Sequence, residues 1–425
     1  MISGITVLNR APVHQLSANG ELLSANSAAI SNSRDRIPDL GNALSLKWQK
    51  SIDSVNPDRL PLLPLWIADM DFETVPTVRE ALQQRIANGV YGYSYTPGSY
   101  KTAVSEWFKD KFNYSVRANE IVPFSGVIPA IITAIHAFTN PGDGIILQTP
   151  VYHPFYRTVS STGRRLIRSP LIQGKNRFEI DFEAFEKTIE AEHPALFILC
   201  SPHNPTGRVF SKDEIFALTD ICLKHGVFVV ADEIHSDIVF PSSAFTSVLN
   251  LENDRLNDRL IVCTSPSKTF NLAGIANANI FIKNAETRTR FLDTAESLGL
   301  HGHGPNFIQS IAAETAYRTG SYWLKETLSY IKDNLNYAYH RLDAELPDIW
   351  HSAVPEGTYF LWLDFRKYGL SDTELERLLL TECRIQANQG YIFGKEGSGF
   401  VRINVACPRA ILKEAMDRLV KVLKC

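Results

Sequence analysis

The sequence predicts an α/β fold, with a large domain built on a mostly parallel sheet flanked by helices and a smaller α+β domain. Two observations predict this fold. Between residues 144 and 282, short continuous apolar runs alternate with longer stretches whose apolar residues recur at helical spacing. Continuous apolar strands separated by helices are typical of parallel sheets that are covered on both faces. The second observation is length, because 425 residues are more than one core usually holds.

The large domain begins with a helix. Pro76 lies near the start of this helix and Gly89 follows its end, so the pattern places the helix over residues 75–88. Further along, an apolar helix is predicted over residues 129–138 and an amphipathic helix over residues 213–224. Buried strands are predicted over residues 144–148, 195–200, 227–231, 260–264 and 278–282.

The pattern changes beyond about residue 325. A long helix is predicted over residues 323–342, followed by strands around 357–364 and 400–405 and a last helix from Ile411 onward. We therefore expect a large domain over residues 76–325 and a small α+β domain made of residues 43–75 with 326–425. Residues 1–42 are expected to form a flexible arm, because Ser, Ala and Asn dominate residues 17–33 without any periodicity.

Composition and charge exclude several classes of protein. The net charge is −3, whereas nucleic-acid binding needs a basic excess or a clustered basic face. No apolar run of the sequence reaches the roughly 18 residues that a membrane span requires. The N-terminal residues lack the basic start and the compact apolar stretch of a secretory signal. The six cysteines form no C-x-x-C pair, which is typical of reduced thiols in a cytoplasmic protein.

Polar motifs follow three of the predicted strands at their carboxyl ends. Asn204 lies in Asn-Pro-Thr-Gly after one strand, Asp232 follows another, and Lys268 lies in Ser-Pro-Ser-Lys after a third. Ligands of open α/β sheets bind at that edge of the sheet. Together with Arg402, these residues supply an amine, a carboxylate, an amide and a guanidinium. Pyridoxal phosphate (PLP) chemistry on an amino acid needs this set of groups.

Each of the four residues also has a simpler interpretation. Lys268 alone would be a surface lysine, and Ser265 with Lys268 matches the S-x-x-K of serine β-lactamases, although no S-D-N or K-T-G follows. Asp232 would otherwise cap a helix, and Asn204 would form a turn. Arg402 would otherwise form a structural ion pair. The order of the four residues along the chain and the motifs around them favour the PLP interpretation. No metal site is predicted.

A phosphate site is predicted at the start of the apolar helix. Backbone N–H groups at a helix start suit a dianion, and here they belong to Gly126, Val127 and Ile128. The hydroxyl groups of Ser265 and Ser267 add hydrogen-bond donors.

The chain resembles the fold-type I PLP enzymes of the aminotransferase class I/II superfamily over residues 45–425. Within them it is most similar to the MalY/PatB-type cystathionine β-lyases, also called C–S lyases. The segments that carry the resemblance are Leu-Trp-Ile-Ala-Asp-Met-Asp-Phe (65–72), Tyr-Gly-Tyr-Ser-Tyr (91–95), Pro-Val-Tyr-His-Pro-Phe (150–155), Ser-Pro-His-Asn-Pro-Thr-Gly (201–207), Asp-Glu-Ile-His (232–235) and Ser-Pro-Ser-Lys-Thr-Phe-Asn-Leu-Ala-Gly (265–274). The first segment and the His that ends the fifth favour the lyase branch over ordinary aminotransferases.

The resemblance implies a role for each central residue. Lys268 is the catalytic lysine that forms the Schiff base with PLP, and Asp232 pairs with the pyridine nitrogen. Asn204 lies beside the phenolic oxygen of the ring and contacts the substrate. Tyr152 stacks on the ring and takes part in catalysis with its hydroxyl near the substrate. Arg402 binds the α-carboxylate of the substrate.

The resemblance also assigns residues at the rim of the site. Ala68 contacts the substrate, and Tyr93 reaches the phosphate from a neighbouring subunit, so the active unit is expected to be a homodimer. His235 replaces the tyrosine that contacts the phenolic oxygen in aminotransferases, and both a cofactor contact and a structural role stay open for it. Many members carry an arginine eight residues after the lysine, where this chain has Ala276. The phosphate is therefore expected to rely on other donors.

The reaction implied by the resemblance is β-elimination. Cystathionine or another L-cysteine S-conjugate is cleaved to a thiol, pyruvate and ammonia. Two alternatives stay open from the sequence. One is an aminotransferase of amino acids that uses the same groups, and the other is a regulatory protein that acts through protein contact.

Overall fold

The fold is described from a computed structural model, in which the described residues are 34–35, 44–53, 60–241, 243–251, 253–300, 304–352 and 355–424. Of the predicted N-terminal arm, only Arg34 and Asp35 belong to these residues, and the rest of residues 1–42 lies outside them.

Helices and strands alternate along most of the described chain. The α-helices are Leu46–Asp53, Pro76–Ala87, Gly98–Phe112, Val127–Phe138, Pro154–Ser161, Phe182–Glu192, Lys212–Lys224, Asp254–Asn257, Pro266–Thr269, Ala285–Ser297, Phe307–Thr319, Ser321–Glu345, Asp372–Arg377 and Arg409–Leu423. The strands are β1 (Leu63–Pro64), β2 (Ile121–Phe124), β3 (Gly144–Thr149), β4 (Arg165–Pro170), β5 (Ile172–Gln173), β6 (Phe178–Glu179), β7 (Pro194–Cys200), β8 (Phe228–Asp232), β9 (Leu260–Thr264), β10 (Ala278–Phe281), β11 (Trp350–His351), β12 (Phe360–Asp364), β13 (Ile385–Gln386), β14 (Asn388–Gln389) and β15 (Phe400–Asn404).

The central sheet has seven strands in the order β2–β10–β9–β8–β7–β3–β4. Strands β3, β4, β7, β8 and β9 pair in parallel, whereas β10 is antiparallel to both of its neighbours. Alternate residues of β7 pack into two separate hydrophobic clusters, with Leu196 and Ile198 in one and Phe197 and Leu199 in the other. The sheet is therefore covered on both faces, and the predicted α/β fold class is confirmed.

A second sheet contains β11, β12, β15 and β14 in that order, and its neighbouring strands are antiparallel. Separately, β1 pairs in parallel with β13, so the segment near Leu63 lies beside the C-terminal part of the chain. This pairing supports a small domain that combines residues 43–75 with residues 326–425. The domain boundaries themselves stay a prediction.

The strand register brings the predicted polar residues to one edge of the central sheet. Cys200 at the end of β7 pairs with Asp232 at the end of β8, and Asp232 pairs with Cys263 in β9. Strand β2 runs in the same direction as β9, because each is antiparallel to β10. The helix Val127–Phe138, which follows β2, therefore starts at the same edge as the residues that follow β7, β8 and β9.

The cysteines of the described chain are buried and carry free thiols: Cys200, Cys222, Cys263, Cys383 and Cys407. Burial raises the pKa of the Cys200 and Cys222 thiols, so both stay neutral and pack as small apolar groups. Among the described residues, no helix combines the length and the apolar character that crossing a membrane requires.

Candidate active site

The carboxyl edge of the central sheet surrounds a cavity of about 230 Å³. The predicted site residues that line this cavity are Ala68, Gly126, Val127, Ile128, Tyr152, Asn204, Asp232, His235, Ser265, Ser267 and Lys268. Arg402 reaches the same site from β15, where its Nη1 donates to Asn204 Oδ1 at 2.9 Å. Tyr93 does not line the cavity, and it is 95% exposed.

Lys268 lies in the short helix Pro266–Thr269, which Ser265 caps through its side-chain oxygen. The Lys268 Nζ donates to the carbonyl oxygen of Ala68 at 2.6 Å. Burial lowers the pKa of Lys268 to about 8, although the carboxylate of Asp69 opposes this shift. Because the shift brings the pKa closer to neutral pH, about a tenth of Lys268 is a neutral, nucleophilic amine at pH 7.

Asp232 and His235 are buried in the wall of the cavity. Burial raises the pKa of Asp232 to about 7, although a hydrogen bond from the backbone N–H of Ile234 and the charge of Lys268 lower it. A cation in the cavity would stabilise the Asp232 carboxylate. Burial lowers the pKa of His235 to about 3, so its imidazole is neutral. The His235 Nδ1 has no hydrogen-bond partner among the described residues, which leaves it available to a ligand.

Arg402 is a buried guanidinium that has no carboxylate partner within the described chain. Its Nη2 donates to the carbonyl oxygen of Trp66 at 2.7 Å and to Asn388 Oδ1 at 2.5 Å, whereas its Nε has no partner there. The rings of Phe360 and Phe393 lie 4.2 Å and 5.0 Å from its Cζ. Burial lowers the pKa of Arg402 to about 10, so the group stays charged at neutral pH. A buried cation with an unused donor is suited to receive a carboxylate.

Tyr152 and Asn204 complete the wall near Arg402. The Tyr152 ring meets the Phe155 ring edge to face, with 5.5 Å between ring centroids. Burial raises the pKa of Tyr152, so its hydroxyl is a neutral donor. Asn204 uses its Oδ1 to accept from Arg402, which leaves its amide N–H groups as donors for a ligand.

The opposite end of the cavity is built from the turn between β2 and the helix Val127–Phe138. Gly126 has a φ of 149°, a conformation that favours glycine and that lets the chain enter the helix at this point. Ser265 donates its hydroxyl to the carbonyl oxygen of Asn277 and accepts from the backbone N–H of Ser267. The Ser267 hydroxyl is therefore the freer donor of the two predicted serines. Ala276 also lines this end of the cavity, so that position supplies no guanidinium.

These groups fit PLP. Around one cavity lie an amine with a lowered pKa, a buried carboxylate with a raised pKa, an imidazole nitrogen without a partner and a helix start. PLP carries an aldehyde, a basic ring nitrogen, a phenolic oxygen and a phosphate, which match these groups one for one.

The support that lies beneath Ala68 is not predicted by any sequence motif. Lys47 is fully buried, and its Nζ lies 3.0 Å from Asp71 Oδ2 and 3.6 Å from Asp69 Oδ1. Trp48 Nε1 donates to Asp71 Oδ1 at 2.8 Å. Burial lowers the pKa of Lys47, but the charges of Asp71 and Asp69 outweigh that effect and raise it overall. These contacts fix the Asp-Met-Asp turn whose preceding carbonyl receives the Lys268 hydrogen bond.

Comparison with known proteins points to one family. The model of the family described as aminotransferase class I and II matches residues 61–419. Cystathionine beta-lyase PatB of Bacillus subtilis (strain 168) is 38% identical over 375 residues, which cover 88% of this chain and 95% of PatB. Protein MalY of Escherichia coli (strain K12) is 32% identical over 85% of this chain and 92% of MalY. Among solved structures, cystalysin from Treponema denticola, which contains a pyridoxal 5'-phosphate cofactor, matches with a TM-score of 0.86 at 34% identity, covering 92% of this chain and 98% of cystalysin.

Proposed function

The chain belongs to the aminotransferase class I and II family, and we propose that it is a PLP-dependent carbon–sulfur β-lyase. The proposed reaction cleaves cystathionine or another L-cysteine S-conjugate, with the uptake of one water molecule, to a thiol, pyruvate and ammonia. The observation that carries the proposal is that Lys268 and Asp232 line one cavity and that Arg402 donates to Asn204 in its wall. The similarity to PatB, which is named a cystathionine beta-lyase, supports the choice of reaction.

Different residues around the cavity are suited to bind different parts of the cofactor. When bound, PLP supplies an aldehyde that condenses with an amine and a protonated ring that withdraws electrons from the substrate Cα. Lys268 would provide the amine, and Asp232 would hold the proton on the ring nitrogen. Asn204 and His235 would contact the phenolic oxygen. The start of the helix Val127–Phe138 and the Ser267 hydroxyl would bind the phosphate.

Other atoms of the chain handle the substrate. Arg402 binds the α-carboxylate with its planar fork, which a lysine cannot match. When it is not bonded to the aldehyde, Lys268 is a free amine, and its neutral Nζ would accept the proton from Cα, as its lowered pKa allows. The bond between Cβ and sulfur then breaks, and sulfur leaves as a thiolate with the bonding electron pair. Tyr152 offers a neutral hydroxyl on the cavity wall for the substrate.

An aminotransferase would use the same Lys268, Asp232 and Arg402, so substrate turnover has to separate the two reactions. The holoenzyme is given cystathionine with and without 2-oxoglutarate as an acceptor, and thiol and pyruvate are measured. The lyase is expected to release thiol and pyruvate in equal amounts without an acceptor. Turnover that requires the acceptor would establish the aminotransferase and refute the lyase.

We propose that the active unit is a homodimer in which the subunits share their sites. Several large hydrophobic side chains are exposed close together: Val90 (66%), Tyr91 (59%), Tyr93 (95%) and Tyr95 (80%). Exposed apolar patches of this kind mark interaction sites, and a second copy that covers this one would bring Tyr93 to its neighbour's phosphate.

Subunit mixing tests the shared site. Homodimers of Tyr93→Ala and of Lys268→Ala each carry a defect in every site. Dimers mixed from the two variants contain one site without either defect, so we expect more lyase activity than the two homodimers give together. A monomeric mass by analytical ultracentrifugation, or no gain on mixing, contradicts the shared-site dimer.

We also propose a cytoplasmic location. The buried, unpaired thiols of the described cysteines suit a reducing compartment and support this proposal. Fractionation of the source cells, followed by detection of the chain, tests it. Recovery in a secreted or periplasmic fraction would contradict it.

A further inference from the structure

A second cleft lies next to the catalytic cavity along the same stretch of chain. Asp232, Ile234 and His235 line the catalytic cavity, whereas residues 236–240 line the cleft, apart from Ile238. The cleft has a volume of about 660 Å³ and is closed by the helices Gly98–Phe112 and Ser321–Glu345. We call it the lysine cleft. Pockets that bind small molecules have volumes of roughly 300–1,000 Å³, and this one lies within that range.

The walls of the lysine cleft are largely apolar. Phe112, Phe240, Phe245, Leu324 and Leu328 contribute side chains to it. The rings of Phe112 and Phe245 meet edge to face, with 5.4 Å between their centroids. Aromatic rings and leucines of this kind favour an apolar body in the ligand.

Three lysines add positive charge to these walls. They are Lys111, Lys325 and Lys332. The Lys111 Nζ lies 4.9 Å from the centroid of the Trp107 ring, which it faces. Lys325 and Lys332 form no ion pair and no hydrogen bond within the part of the chain that the structure describes. Two cations at an apolar wall that form no ion pair among the described residues favour an anionic ligand.

Asp237 is the acidic residue of the lining, and its carboxylate is already used. Trp107 Nε1 donates to one oxygen at 3.0 Å, and the Thr269 hydroxyl donates to the other at 2.8 Å. Three lysines face this one carboxylate in the lining, so the cleft keeps a net positive charge. Because Thr269 follows Lys268 in the chain, Asp237 also links the floor of the cleft to the helix that carries the catalytic lysine.

We propose that the lysine cleft binds a small amphipathic carboxylate. The aromatic or branched aliphatic body of this ligand packs against Phe112, Phe245 and Leu328, and its carboxylate lies beside Lys325 and Lys332. This site is distinct from the catalytic cavity, and the proposal does not depend on which reaction the cavity performs.

The test uses the holoenzyme and 3-phenylpropionate as the probe, with 3-phenylpropanamide as its uncharged match. By calorimetric titration at low ionic strength, the carboxylate is expected to bind at least about fivefold more tightly than the amide. Added salt should weaken the binding of the carboxylate but not that of the amide, because solvent reaches the lysines. The variant Lys325→Gln/Lys332→Gln should lose about fivefold to tenfold in affinity for the carboxylate. Lys212→Gln removes an exposed lysine elsewhere and should lose nothing.

Arg402 offers a second carboxylate site, so the probe is also titrated into Arg402→Lys. Binding that survives in Arg402→Lys and falls in the double lysine variant places the probe in the lysine cleft. Binding that falls in Arg402→Lys and survives in the double lysine variant places it in the catalytic cavity and overturns the proposal. Equal binding of amide and carboxylate, displacement by an equal concentration of inorganic phosphate, or no heat at millimolar probe also overturns it.

Discussion

The catalytic cavity and the lysine cleft are neighbours along residues 232–240, yet they hold their charges in different ways. Lys268, Asp232 and Arg402 have pKa values that burial displaces. Lys325 and Lys332 stand at a wider opening and have no ion-pair partners among the described residues. A charge without water around it interacts strongly with what replaces the water, whereas a hydrated charge interacts weakly. The cavity is thus suited to chemistry and the cleft to binding.

The largest difference between the two regions is expected when a lysine is removed from each. Lys268→Ala removes the amine that we propose bonds the cofactor and accepts the Cα proton, so kcat should fall at least about 10³-fold. The visible absorbance of the bound cofactor should change with it. Lys325→Ala should retain kcat within about twofold, because the Lys325 side chain is exposed and forms no ion pair with any described residue. Thiol release from cystathionine measures kcat for both variants. Equal losses of kcat would contradict the proposed difference between the two regions.

The free energy lost when an ion pair is broken should also differ between a buried pair and an exposed pair. Lys47→Met leaves the Asp71 carboxylate buried without its cation, and this should lower the free energy of unfolding by about 3–5 kcal/mol. Lys187→Met breaks an exposed pair with Glu183 on a helix surface and should cost less than about 1 kcal/mol. Urea denaturation of both holoenzymes gives the two values. A small loss for Lys47→Met would show that water reaches Asp71 in solution.

Arg402→Lys tests the geometry of a buried charge while keeping its sign. The lysine loses the planar fork, so kcat/KM for cystathionine should fall about 10- to 100-fold, which is the cost of one or two charge-assisted hydrogen bonds. Arg177→Lys is the matched control, because Arg177 pairs at the surface with Glu179 and Glu356. An unchanged kcat/KM in Arg402→Lys would show that the Arg402 guanidinium does not bind the substrate.

The sequence predicted the strands that carry the site because each is a continuous apolar run buried on both faces. β9 was predicted over the residues that form it, and the end of β8 differs by one residue. Strands β2 and β4 of the central sheet were not predicted, for physical reasons. β2 contains Pro123, and proline disfavours a strand assignment. β4 lies at the sheet edge and mixes exposed Arg165 and Arg168 with buried Ile167 and Ser169, so it lacks a continuous apolar run.

A site residue could be predicted where its position along the chain indicates its position in the fold. Lys268, Asp232 and Asn204 follow neighbouring parallel strands, so their order along the chain already places them at one edge. Lys47 and Asn388 meet the site only through tertiary packing, and no local pattern distinguishes them. The proposed role of Tyr93 depends on a second subunit, and the single chain leaves this side chain exposed.

The lowered pKa of Lys268 gives a dependence on pH that the lysine cleft does not share. Only the neutral amine bonds the aldehyde of the cofactor, so reconstitution of apoenzyme should accelerate as pH rises towards about 8 and level off above it. Between pH 6 and 7 the rate should rise nearly tenfold, because the neutral fraction does. The growth of visible absorbance after PLP is mixed with apoenzyme measures this rate. A rate that keeps rising beyond pH 9.5 would show that burial leaves the amine unshifted.

The smallest expected effect concerns the stability of the lysine cleft. Lys325→Gln/Lys332→Gln removes two charges that have no partners among the described residues, so no ion pair is lost. The free energy of unfolding by urea should therefore change by less than about 0.5 kcal/mol. The sign should be a slight gain at low salt, because repulsion among cations in the cleft is relieved, and the gain should vanish at high salt. A loss above about 1 kcal/mol would mean that both lysines already have anionic partners in solution, and the cleft would then resemble the catalytic cavity in how it holds charge.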